Sequence, residues 1–220
     1  MNYLMEALQW IADPANRYGD TGILARMGEH VLYTVVVLGI AALIGIPIGY
    51  AIGHFHRGRG IVVASTGAAR ALPTLGVLTL IGVVVGIGLV APLAALVVLA
   101  TPSVLAGAYS GVENVDRTTV DAARAQGMSQ WQVLTRVEIP LGLPLLIGGL
   151  RSACLQVVAT ATLAAYVGGG GLGRFLFPAI NTYNYTLMLA ASILVMILAV
   201  VLDACFAFGE RLVRWGVRSS

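Results

Sequence analysis

The chain has 220 residues, 58% of them hydrophobic and 10% charged, with a net charge of +3. Soluble domains carry about a quarter charged residues, so this composition excludes an ordinary soluble domain and indicates a membrane-embedded one. All thirteen basic residues are Arg. Cys154 and Cys205 lie in apolar runs and read as small apolar filler, not as a disulfide or ligand pair. The first twenty residues lack a basic region followed by an apolar core, so no cleavable signal is expected.

Residues 1–27 form a polar leader. Its weakly amphipathic stretch, residues 3–11, suits either a membrane interface or packing against the rest of the chain. A membrane-spanning helix needs about twenty apolar residues, and residues 31–53 supply the first, with Pro47 expected to kink it. It ends in His54-Phe55-His56-Arg57-Gly58-Arg59, where histidines two apart do not share a helix face and are expected to be a solvated helix end. Residues 60–111 divide near Gly86–Pro92 into two spans. The first of these is expected to be two pieces, 61–71 and 74–85, hinged where Pro73 disfavours helical geometry at Leu72. Pro102 is expected to bend the third span.

Between the third and fourth spans lies a polar insert, residues 116–140. Asp116 is placed to cap a helix beginning at Arg117, with Thr118 and Asp121 in its first turn. Ala122, Ala123 and Ala125 leave little bulk for an approaching partner, and Gly127 ends the helix in a left-handed conformation. Met128, Trp131 and Leu134 recur at spacing three on a second short helix. Pro140 is expected to stop that helix before a fourth span, 141–167, with Pro144 a further hinge. That span ends in a flexible run, Gly168 to Gly171, Leu172 and Gly173, followed by a loop through Tyr185. The fifth span, 186–208, runs into a charged, aromatic ending. From the residues alone, the insert is either a docking surface or a helical hairpin resting on the bundle.

Eight arginines (57, 59, 117, 124, 136, 211, 214 and 218) fall on one side of this layout and three (17, 26 and 174) on the other. The positive-inside bias then puts the insert and the C-terminus in the cytoplasm and the N-terminus outside. Arg70, Arg151 and Asp203 fall inside apolar segments, where charges are costly unless paired or hydrated. At 1.5 Å per residue, Arg151 and Asp203 lie about 12 and 8 Å from the cytoplasmic ends of their spans. An ion pair between them is expected, with separate snorkelling to the headgroups as the alternative. Arg70 either lines an inner vestibule or holds the bend.

The insert resembles the E-A-A-x3-G-x9-I-x-L-P pattern of permease subunits of bacterial ATP-binding-cassette importers. Here it reads Asp121-Ala122-Ala123, Gly127, Val137, Ile139-Pro140, with every interval preserved and three conservative replacements. The stretches 111–116, 140–144, 149–151 and 167–173 and the Arg70–Pro73 bend look like the same family, so the likeness spans residues 28–212. It implies an all-α polytopic protein with five transmembrane helices: an extracytoplasmic or interfacial segment 1–27, a permease domain 28–212 with coupling insert 116–140, and a cytoplasmic tail 213–220. It also implies a multi-pass inner-membrane location.

The implied partners are cytoplasmic ATPases, a second permease (this chain or a relative), an external substrate-binding protein and the lipid bilayer, with no nucleic acid. Asp121, Ala122, Ala123 and Gly127, with Arg124 and Met128 beside them, would seat in the ATPase. The chain carries no cofactor and no metal and is not an enzyme. It has no G-x4-G-K-[ST] run, so Mg-ATP would be bound and hydrolysed by the partner. From their position at the outer end of the fourth span, Gly168, Gly169, Gly170, Gly171 and Gly173 read as an outer gate, a binding-protein contact or an ordinary loop. Within the family the layout most resembles permeases for quaternary-amine osmoprotectants such as glycine betaine, carnitine and choline. A methionine-type amino-acid importer is the nearest rival. An ion-driven secondary transporter would more often show an acidic relay or inverted repeats, and a purely structural scaffold would leave the insert unexplained.

Overall fold

The computed structural model describes residues 2–86 and 88–219, with side chains throughout except at 69, 70 and 214–219. Every regular element among them is helical. The chain opens with α1 (Tyr3–Ala12), α2 (Pro14–Arg17) and α3 (Ile23–Phe55), and α4 (Arg59–Ala71), α5 (Thr74–Val85) and α6 (Val90–Glu113) follow. The insert holds α7 (Arg117–Ala125) and α8 (Gln130–Val133), and a π-helical turn, Leu134–Glu138, joins α8 to α9 (Ile139–Thr160). A 3-10 segment (Ala161–Val167), α10 (Gly173–Asn181) and α11 (Tyr185–Ser219) complete it.

Among the described residues, four helical stretches are long and apolar enough to cross a membrane: Ile23–Phe55, Val90–Glu113, Gln130–Val167 and Tyr185–Val213. Within the most apolar window of the last, only 22% is buried, so its outer face needs hydrocarbon or another protein. The remaining expected span is the pair α4 and α5. Leu72 between them is extended (φ −74°, ψ 124°) and Pro73 caps α5, as the steric restriction before proline requires. The Arg70 side chain lies outside the described residues, as do those of Arg214 and Arg218.

Three expectations about the elements need correction. First, α3 begins at Ile23, inside the segment assigned to the leader, because Arg26, Glu29 and His30 all find partners within the fold. Second, Pro140 does not stop the insert's second helix. The stretch from Gln130 to Val167 is continuous, passing Pro140 and Pro144. The π turn absorbs the irregularity, with the Ile139 N–H reaching back to Leu134 O. Third, the residues after the glycine run fold as α10, which starts at Gly173 itself.

By internal contacts the chain forms two compact units. The first comprises Met1–Val37, Pro73–Val97 and Leu155–Leu202. Here α1 packs rather than floating free: the Trp10 ring meets Phe175 edge-on at 5.3 Å, Tyr3 meets Tyr185 at 5.6 Å, and the Thr186 hydroxyl donates to Glu6 at 2.7 Å. Leu4, Met5 and Leu8 stay exposed on the same helix. The second unit comprises Leu38–Leu72, Val98–Cys154 and Asp203–Ser220. Its core is built on backbone proximity. A methyl on Gly49 would come within 2.6 Å of Leu105 O, and one on Gly149 within 2.7 Å of the Gly107 Cα. Small residues on α3, α6 and α9 therefore let these helices touch along their backbones, the usual means of helix association in lipid.

Candidate functional site

The insert, which belongs to the second unit, is ordered by its own sequence. Asp116 caps α7, its Oδ1 accepting from the Thr118 backbone N–H at 2.8 Å and the Thr118 hydroxyl at 2.9 Å. These bonds hold its carboxyl below the usual carboxylate range. At the other end Gly127 sits at φ +85°. Its N–H reaches Arg124 O at 2.9 Å and the Met128 N–H reaches Ala123 O at 3.3 Å, which together form a Schellman cap. Ser129 then opens α8 with a capping box: its N–H donates to Gln132 Oε1 at 2.8 Å, and its Oγ accepts from the Gln132 N–H. That Ser-x-x-Gln signal was available in the sequence and was missed.

The two short helices close on a small core. Val120, Ala123 and Val133 are buried together, with Val115, Met128 and Val137 packed around them. Ala123 therefore faces its own chain, and Met128 is half-buried, which corrects the expectation that both are presented to a partner. Asp121, Ala122, Arg124 and Gly127 are exposed, with Arg124 Nη1 3.7 Å from Asp121 Oδ1. The expected Met128–Trp131–Leu134 stripe also divides. Trp131 remains exposed and, with Leu134, lines an open cavity of about 510 Å³. The opposite wall of the cavity is Tyr50, His54 and Phe55 of α3.

His54 is not a solvated helix end. Its Nδ1 lies 2.5 Å from Glu138 Oε2, with both side chains almost wholly buried. His56 instead stays exposed and pairs with Glu113 at 2.8 Å. No group of three metal-binding side chains occurs among the described residues. The residues forming the His54–Glu138 contact lie 84 apart in sequence, and no local pattern could have announced it.

Arg151 and Asp203 are brought together within the same unit. Nε donates to Oδ1 at 2.6 Å and Nη2 to Oδ2 at 2.7 Å, a two-pronged pair, and Glu210 Oε2 stands 3.9 Å from Nη1. Glu210 was not anticipated. Cys154 is buried and Cys205 exposed, and both are free thiols.

In the first unit, the glycine run is pinned. Glu29, which also pairs with Arg26, accepts from the Gly171 N–H at 2.8 Å. His30 bridges: its Nδ1 accepts from the Leu172 N–H at 3.3 Å, and its Nε2–H donates to Val158 O at 2.9 Å. Arg174 holds the carbonyls of Gly169 and Gly168 at 2.6 and 3.1 Å. Gly169, Gly170, Gly171 and Gly173 are buried, while Gly168 is exposed at the end of the 3-10 segment with φ +92°. A side chain at Gly170 would strike Glu29, and one at Gly171 would press on His30 from a backbone at φ +77° that favours glycine. This is a fitted loop held by three charged or polar side chains, and Glu29 and His30 were missed because their partners lie 142 residues away.

Residues 41–215 match the family described as binding-protein-dependent transport system inner membrane component. The chain belongs to this family. As a binding-protein-dependent permease it is the membrane subunit of a type I ATP-binding-cassette importer, the non-enzymatic component, with ATP hydrolysis in a partner ATPase.

Similar proteins include the carnitine transport permease OpuCB of Listeria monocytogenes, 33% identical over 86% of this chain and 85% of that one. The glycine betaine/carnitine/choline permease OpuCB of Bacillus subtilis is 29% identical over 86% and 87%. Among solved structures, the inward-facing MetNI methionine transporter aligns with TM-score 0.77 at 24% identity, covering 87% of this chain and 95% of that chain. At that identity the likeness establishes the permease's all-helical fold and not its cargo.

Proposed function

We propose that this permease, residues 28–212, forms half of a translocation pathway for a quaternary-amine osmoprotectant such as glycine betaine, carnitine or choline. It would work by alternating access, driven through the insert by a cytoplasmic ATPase and supplied by an external binding protein. The observation that carries the substrate class is the run of similar permeases whose names specify these compounds, at 28–33% identity over most of their length. The coupling role rests on geometry: a helix capped at both ends and braced by its own core moves as a body, whereas a slack loop would absorb the displacement. Its exposed edge of Asp121, Ala122, Arg124 and Gly127 is the surface offered to the ATPase. Arginine placement supports a cytoplasmic insert and C-terminus. The pinned glycine loop would then lie on the outer side, as part of a gate or of the binding-protein contact.

The deciding experiment reconstitutes the permease with its ATPase and binding protein in liposomes and follows ATP-dependent uptake of labelled glycine betaine, carnitine, choline and methionine. Saturable uptake of at least one amine, with methionine neither transported nor competing, is expected. Methionine uptake alone would transfer the permease to the rival amino-acid class.

A further inference from the structure

The insert must pass its motion to a membrane helix, and the observed contacts identify a route that the coupling motif does not contain. Glu138 is the last residue of the π turn, and His54 lies in the last turn of α3. A π turn inserts one residue into the α repeat, so side chains beyond it are rotated by about 100° from where an unbroken helix would put them. Glu138 is thereby aimed inward, while Trp131, before the turn, stays exposed. The carboxylate meets His54 Nδ1 at 2.5 Å with 3% and 5% of the two side chains exposed. Around them Tyr50, His54, Phe55, Trp131, Leu134 and Ile139 line an open cavity between α3 and the insert. A buried polar group separated from a strong partner is heavily penalised. The two ends must therefore travel together, or the contact must break at high cost.

We propose that His54 and Glu138 are positioning residues for transport: a buried strut that transmits displacement of the insert to the end of α3. This rests on the reading that an ATPase docks on the insert.

The test uses the complete complex and does not depend on knowing the cargo. Cys154 and Cys205 are replaced by Ala and Ser, and a reporter cysteine is placed at Ile48, which is exposed on α3. Maleimide labelling of Ile48→Cys is measured with and without trapping of the ATPase by ADP and vanadate. With the native pair, trapping should change the labelling rate by about threefold or more, the range expected for coupling energies of this kind. In Glu138→Gln, which keeps the volume of the side chain, and in His54→Ala, that change should disappear while the ATPase still co-purifies. The exchanged pair His54→Glu with Glu138→His should recover at least part of the response.

A full response in assembled Glu138→Gln and His54→Ala complexes overturns the strut. So does loss of ATPase co-purification in Glu138→Gln, since the pair would then only support the shape of the insert. Failure of the exchanged pair to recover any response likewise removes the specific contact as the cause. If the ATPase does not bind even the parent complex, the docking reading itself fails, an outcome distinct from all of these.

Discussion

Asp116 and Arg151 show how differently single charges act in this permease. The Asp116 carboxylate is the acceptor that closes the first turn of α7, and its folded-state affinity for protons is lowered. The sign follows directly: its contribution is present above the unfolded-state pKa and is lost as pH falls through the lower folded value. Amide hydrogen exchange at Thr118 should therefore quicken on acidification into the carboxylate range, beyond the intrinsic change. Asp116→Asn, which can still cap, should abolish that extra dependence, and Asp116→Ala should leave exchange fast at every pH. Arg151 differs in facing two carboxylates, hydrogen-bonded to Asp203 at 2.6 Å and 3.9 Å from Glu210. Reversing either Arg151 or Asp203 alone should suppress transport. Reversing both restores the pair but sets an acidic residue at 151 beside Glu210, so rescue should be partial until Glu210→Gln is added. Equal uptake with and without that third change would show that Glu210 does not act on the pair.

At the scale of elements, the two faces of α7 separate roles that the sequence could not. Asp116, Gly127 and the Pro73 bend were legible because each acts within a few residues of itself: a cap, a left-handed turn, a steric clash with the preceding residue. Ala123 was misplaced because its facing depends on Val133, which reaches it only after the Schellman cap and capping box have turned the chain. Pro140 was read as a stop because nothing in the sequence announced a π turn able to carry a helix past it. The consequence is measurable. Ala123→Arg forces a charged side chain into the small core and should destabilise the insert by about 1–3 kcal/mol from overpacking alone, seen as faster proteolysis within residues 116–138. Ala122→Arg, on the exposed edge, should leave proteolysis unchanged while weakening ATPase binding by about tenfold, or about 1.4 kcal/mol. If both variants accelerate proteolysis equally, the inner and outer faces have been assigned wrongly.

For the whole permease, membrane topology turns on one pair of elements. Four stretches can each cross alone, and an even number of crossings would return the two termini to the same side. The pair α4 and α5 decides the parity. With 13 and 12 residues, each measures about 18–20 Å at 1.5 Å per residue, short of a hydrocarbon core of about 30 Å, while end to end they exceed it. The extended Leu72 between them leaves backbone groups that lipid cannot satisfy, so a crossing there must be covered by protein or by a water-filled space. Arginine counts favour the crossing, since only an odd number of passes puts both the residue 57–59 loop and the C-terminal tail with the insert and leaves the N-terminus opposite. Alkaline phosphatase, active only outside, should accordingly be active when inserted at Gly88, between α5 and α6, and green fluorescent protein, bright only inside, should fluoresce when fused after residue 220. A phosphatase active when inserted at Gly58, between α3 and α4, together with an active Gly88 insertion and a bright C-terminal fusion would mean that α4 and α5 re-enter without crossing, and the N-terminal segment with its α1 would then lie in the cytoplasm.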